Sequence, residues 1–147
     1  MAVPRIQLNL SESPEYRAAV VASTAGELSV AREAYQHLLD QAEDDDDVIA
    51  ISHLLQSLAN IEARDGNLEL AHELHLRAIG QSPGIPLTII RYAKSLATHF
   101  AMAELAEEKL SEAEKMIDSE RWNRAVDSIS RETYELQISQ LRDEYFR

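Results

Sequence analysis

The chain has no cysteine among its 147 residues. Disulfides, thiolate metal sites and cysteine nucleophiles are thereby excluded, and a reducing cytoplasm is the expected setting. Glycine and proline are scarce, at four each. That scarcity suits helices joined by short turns. No run of about 18 apolar residues occurs, so no membrane-spanning helix is expected. The N-terminus lacks the basic region and apolar run of a secretory signal. Positive charge is short as well: 14 Lys and Arg face 26 Asp and Glu, a formal net charge of −12. Such a surface repels phosphate backbones and anionic lipid, so neither nucleic acid nor a membrane is an expected partner. It would attract a basic protein, although acidity also serves solubility alone.

Catalytic motifs are missing too. There is no Gly-rich phosphate loop, no nucleophile elbow and no His-Glu-x-x-His. His72 and His75, with Glu69 one turn before, have a spacing that metal sites use. His37, His53 and His99 are isolated in sequence. The acidic run from Glu43 to Asp47 lacks the glycine of a calcium loop. It reads instead as carboxylates favoured by the positive end of the helix that follows. The expectation is a non-enzyme with no cofactor and no metal.

What is present is helical periodicity. Ser11 or Ser13 caps a first helix, with Pro14 in its first turn and Tyr16, Ala19 and Val20 on one side. Leu28, Ala31, Tyr35, Leu38 and Leu39 step at helical spacing in a second. Val48 to Ile61 gives a third, Asp65-Gly66-Asn67 a turn, and Leu68 to Ile79 a fourth. Ser82-Pro83-Gly84-Ile85-Pro86 ends it. A fifth helix carries Leu87 to Leu96, a weaker break falls between Thr98 and Met102, and a sixth carries Leu105 to Ile117. From Ser119 onward, Trp122, Val126, Ile129, Thr133 and Leu136 predict one long helix or two with a kink. Residues 1–11 stand apart, because Ile6, Leu8 and Leu10 alternate as in an extended arm packed on the first helices or paired with a partner. The fold class is all-α, with one domain over 12–147.

Gly26-Glu27-Leu28-Ser29-Val30-Ala31 recurs 40 residues later as Gly66-Asn67-Leu68-Glu69-Leu70-Ala71. Repeats of this length mark paired helices stacked in series. Residues 52–85 resemble a tetratricopeptide repeat. Leu55, Leu58 and Ala59 match its large–large–small pattern, Gly66 its turn, Ala71 and Ala78 its small positions, and Pro83 its closing position. Residues 12–45 match through Ala19, Gly26, Ala31 and Tyr35 without a closing proline. Residues 86–118 match through Ile89, Tyr92, Ala93, Leu96, Ala106, Leu110 and Ala113, with no turn glycine and one inserted residue near Phe100. Trp122, Ala125, Val126 and Ile129 resemble the first helix of a fourth unit, within a terminal helix at 119–147. Sel1-like and HEAT-like arrays remain alternatives.

The resemblance implies a right-handed array of about seven helices whose first helices line a groove for a peptide or partner helix. Carried over residue by residue, the groove is His53, Gln56, Asn60 and Arg64, then Arg91, Lys94 and Thr98, with Ser13, Tyr16, Val20 and Thr24 from the first unit. This set is weakly basic inside an acidic shell, which suits an acidic or carboxylate-terminated ligand. Of the positions with which chaperone-binding members of the family grip a terminal carboxylate, only Arg91 matches. Tyr16, Val20, Ser57 and Leu87 occupy the others, so chaperone tails are not expected ligands. The leading expectation is an adaptor or scaffold. The alternative is an acidic immunity- or antitoxin-like inhibitor that covers a basic partner with Glu107, Glu108, Glu112 and Glu114. A lower alternative is a secretion chaperone of tetratricopeptide type. Trp122, Tyr145 and Phe146 add the expectation of a homodimer through the C-terminal helix.

Overall fold

A computed structural model describes residues 10–81, 84–124 and 127–146. Most of the expected N-terminal arm, the closing Pro83 and the Ala125-Val126 step of the fourth unit lie outside these residues. Leu10–Glu12 is a short 3-10 turn. Seven α-helices follow: α1 (Pro14–Thr24), α2 (Leu28–Asp44), α3 (Val48–Arg64), α4 (Leu68–Gln81), α5 (Pro86–Thr98), α6 (Ala103–Ile117) and α7 (Arg131–Tyr145). The described residues contain no strand, so the class is all-α. Among the described residues no helix is long and apolar enough to cross a membrane.

The helices gather into two compact units, Met1–Gln81 and Ser82–Arg147, where the sequence reading had one domain. Their division falls at the Ser82-to-Pro86 break. The units differ in charge. The first sets five arginines and no lysine against fourteen carboxylates, a formal −9; the second sets nine cations against twelve carboxylates, a formal −3.

In the first unit α1, α2, α3 and α4 pack in chain order. Ser13 caps α1 by accepting from the Tyr16 amide at 3.2 Å, which satisfies one of the unpaired N–H groups of the first turn. Three turns join the helices, and all close in the same way. The amides of Glu27, Asp47 and Asn67 bond back to the carbonyls of Ala22, Ala42 and Glu62, at 2.9, 3.0 and 2.8 Å. Each turn needs one residue with a left-handed backbone. Gly26 and Gly66 supply it at φ +82° and +91°, and Asp46 does so at +50°. The turn positions therefore recur every 20 residues, although only two carry the glycine that reveals them in sequence. The acidic run corrects its own reading. Glu43 and Asp44 finish α2, where the helix dipole disfavours them, and only Asp47 caps α3, accepting from the Ala50 amide at 3.2 Å.

Ala31, Ala42, Leu54, Leu55, Ala59, Ile61, Ala71 and Ala78 are sealed in this unit's core. The small residues let the helix axes approach. Buried polar groups fix the α3–α4 register. The Ser52 hydroxyl donates to the Ala78 carbonyl at 2.6 Å, and Gln56 pairs with His75 at 3.2 Å.

In the second unit α5 packs on α6, and α7 touches both. The α5–α6 turn contains one extra residue. The Met102 amide reaches the Leu96 carbonyl, a span of six instead of five, with Ala101 left-handed at φ +52°. The long helix expected from Ser119 is absent from the described part of that segment, because α7 starts only at Arg131. Apolar spacing alone suggested helix there. Ser119, Asn123, Asp127 and Ser130 outcompete it, since short polar side chains bond nearby backbone better outside a helix. The Ser119 hydroxyl bonds the Met116 carbonyl and the Arg121 amide. Asp127 accepts from the Trp122 indole at 2.8 Å, the Tyr134 hydroxyl at 2.6 Å and the Ile129 amide at 3.0 Å. Ser130 then caps α7. Trp122 leaves the expected helix and enters the core, edge-on to Tyr134 at 5.7 Å.

Candidate functional site

The first helices of the first unit, α1 and α3, lie side by side. The Tyr16 hydroxyl and His53 Nε2 share a hydrogen bond of 2.5 Å, and their rings are 5.4 Å apart. One helical end further on, Arg64 donates to the Ser23 hydroxyl and carbonyl, both at 2.8 Å. Behind this contact Tyr35 stacks obliquely on Tyr16 at 6.0 Å. Burial pushes the Tyr35 hydroxyl's pKa up, with nearby Tyr16 adding to the shift and Arg64 and Ser57 opposing it. The ring is thus a neutral packing group.

Helical geometry fixes which side chains share the outer face of these two helices. From α1 come Tyr16, Val20 and Thr24; from α3 come His53, Ser57, Asn60 and Arg64. Tyr16, His53 and Ser57 are half-buried, while Val20, Thr24, Asn60 and Arg64 are exposed. Ile49, one turn before His53, is half-buried on the same side. The sequence pattern did not single it out, although it lies an i, i+4 step before His53. None of these residues is acidic, although the unit around them carries a formal −9.

Gln56 does not belong to this face. It is 5% exposed and is spent on His75 in the α3–α4 interface. His75 is itself buried, and the described side chains include no group of three metal-ligating residues around it or elsewhere. In the second unit Lys94 is exposed, Arg91 is half-buried and the Thr98 hydroxyl donates to Tyr145 of α7 at 3.0 Å. The groove candidates thus divide between the units, with His53, Asn60 and Arg64 in the first and Arg91, Lys94 and Thr98 in the second.

The alternative acidic set is largely occupied within its own unit. Arg142 of α7 donates to both Glu107 and Glu114 of α6, with closest approaches of 2.7 and 2.6 Å. The hydrogen bonds to Glu114 and then Glu107 raise the Arg142 pKa, so the cation is permanent at any ordinary pH. Lys109 pairs with Glu112 at 3.0 Å. Glu108 alone of the four makes no ion pair among the described residues. Glu107 and Glu114 thereby join α6 to α7, and with Glu112 they are already paired, which lessens what they offer a basic partner. The aromatics expected at a dimer interface are spent in the same way. Trp122 is core, and Tyr145 and Phe146 pack against that core.

Compared with known proteins, the chain matches no protein-family model, no curated protein and no solved structure.

Proposed function

We propose that the chain is a non-catalytic protein–protein interaction module of the cytoplasm, its helix pairs forming a tetratricopeptide-like right-handed array. The α1–α3 face receives an extended peptide or partner helix of neutral or acidic character, and within the second unit Arg91 and Lys94 would have a similar preference. One observation carries this reading: a carboxylate-free face persists within a strongly acidic unit. A random scatter of fourteen carboxylates on one unit would be expected to place some of them there. The face also combines apolar Val20 and Ile49 with hydrogen-bonding Asn60, His53 and Ser57. Interfaces combine an apolar centre with placed polar groups in this way. An acidic ligand would meet less repulsion at this face than at the carboxylate-bearing surface around it.

The test is affinity capture from native lysate with wild type, with His53→Glu/Asn60→Glu, and with the control Glu108→Gln. A partner kept by the control and lost by the double variant supports the reading. A partner kept by the double variant and released by salt contradicts it, and returns the inhibitor alternative.

A further inference from the structure

The α1–α2 pair has a second exposed side, facing away from α3. Two contacts orient it. Tyr16 and Ser23 mark the side of α1 that meets α3, and Arg32, bonded to Glu62 at 2.6 Å and Asp65 at 2.7 Å, marks that side of α2. The opposite sides, half a helical turn round, carry Ala18, Val21 and Ala25 on α1 and Val30 and Ala34 on α2. The Glu15–His37 contact at 2.6 Å sets the antiparallel register, which brings Ala18 level with Ala34 and Ala22 level with Val30. Val21 is 68% and Val30 56% exposed, and Ala18 and Ala25 are exposed beside them. This seam runs from the Gly26 turn to the Glu15–His37 pair without a charged side chain along it.

Its borders are charged, and unequally. Glu33, Asp40 and Asp44 line the outer flank of α2, all exposed, with Glu27 at the turn. The α1 border carries the single cation Arg17. We infer that the α1–α2 seam docks an amphipathic helix of a partner protein, one with an apolar stripe between the valines and Lys or Arg along the side that meets α2. Charge complementarity selects this occupant. A second copy would bring a unit of formal −9 against another of −9 and is disfavoured. A basic helix gains both the apolar seam and the acidic flank. The seam is separate from the α1–α3 face, so either surface can fail without the other.

The probe is a labelled synthetic amphipathic helix of about 14 residues, somewhat longer than α1. One version has Lys on its polar face; a second has the same apolar face with Glu. Binding is read by fluorescence anisotropy, and its site by amide shifts of the full chain. The Lys helix is expected to bind at micromolar Kd, to shift Ala18, Val21, Val30 and Ala34, and to weaken with salt. Val21→Asn/Val30→Asn should lower its affinity about tenfold or more, and amide spectra check that this variant stays folded. Three results overturn the inference: equal or tighter binding of the Glu helix, shifts confined to other surfaces, or no binding of the Lys helix at millimolar concentration. Self-association of the chain that the double variant abolishes also overturns it, by assigning the seam to a second copy.

Discussion

The α5–α6 pair and the α1–α2 pair end differently. A further helix, α7, lies on α5 and α6, and fully buried Tyr134 and Ile138 join it to their core. Among the described residues nothing covers the side of α1–α2 that faces away from α3 in this way, and Val21 and Val30 are exposed there. Both pairs began with the same problem, since a two-helix layer has an apolar side left over. Where α7 supplies the cover, it brings polar devices that fix it in one place: Asp127 holding Trp122 and Tyr134, and Arg142 holding two glutamates. On the α1–α2 side the described residues show no such devices and the apolar side chains stay small. Closure is specified by buried polar groups, and openness is tolerated by keeping the exposed apolar groups to two valines among alanines.

The largest expected effect comes from breaking the cover. Tyr134→Ala removes a fully buried ring and its bond to Asp127, and should cost about 4 kcal/mol in denaturant unfolding, enough to release α7. Val21→Ala on the open side should change the same measurement by less than about 0.5 kcal/mol. Next comes the turn ahead of α5. Gly84 has φ +86°, and an added Cβ would lie 2.6 Å from the Arg121 carbonyl oxygen. Gly84→Ala should therefore cost about 3 kcal/mol. Gly66→Ala, equally left-handed but with open space around it, should cost only about 1 kcal/mol. Equal costs at the two glycines would contradict the tight packing of residues 121–123 on the α5 entry.

Arg142→Gln should lower stability by about 1 kcal/mol, because the pairs are partly solvated and the two glutamates then face each other without their cation. The loss should shrink in high salt. The smallest effect has the opposite sign. Asp46→Gly relieves a left-handed non-glycine residue and removes a negative charge just beyond the α2 C-terminus, so thermal unfolding should shift upward by the equivalent of about 0.5–1 kcal/mol.

Much of the helical plan was legible in the sequence. Gly26 and Gly66 announced their turns, and the spacing of Leu28, Ala31, Tyr35, Leu38 and Leu39 gave α2 and its buried side. The third turn of the same geometry was hidden, because Asp46 takes the left-handed position that glycine would have advertised. The start of α7 was misplaced for a related reason. Periodicity counts apolar residues and is blind to Asp127, whose carboxylate gathers Trp122 and Tyr134 from either side. Of the residues carried over from the tetratricopeptide resemblance, His53, Asn60 and Arg64 share one side of α3. Gln56 did not stay with them, since its burial depends on His75 across the α3–α4 interface, a contact that no spacing within α3 reports. The pairing of Glu107 and Glu114 with Arg142 was equally out of reach, lying between helices that are separated by an irregular segment.

The most direct test of the α1–α3 face is site-specific photocrosslinking in living cells, with a photoreactive residue placed at Asn60 and, separately, at exposed Leu136 of α7. A discrete adduct from Asn60 and none from Leu136 is the predicted result. Adducts from Leu136 alone, or from neither position while the chain still captures a partner, would contradict the assignment of binding to that face.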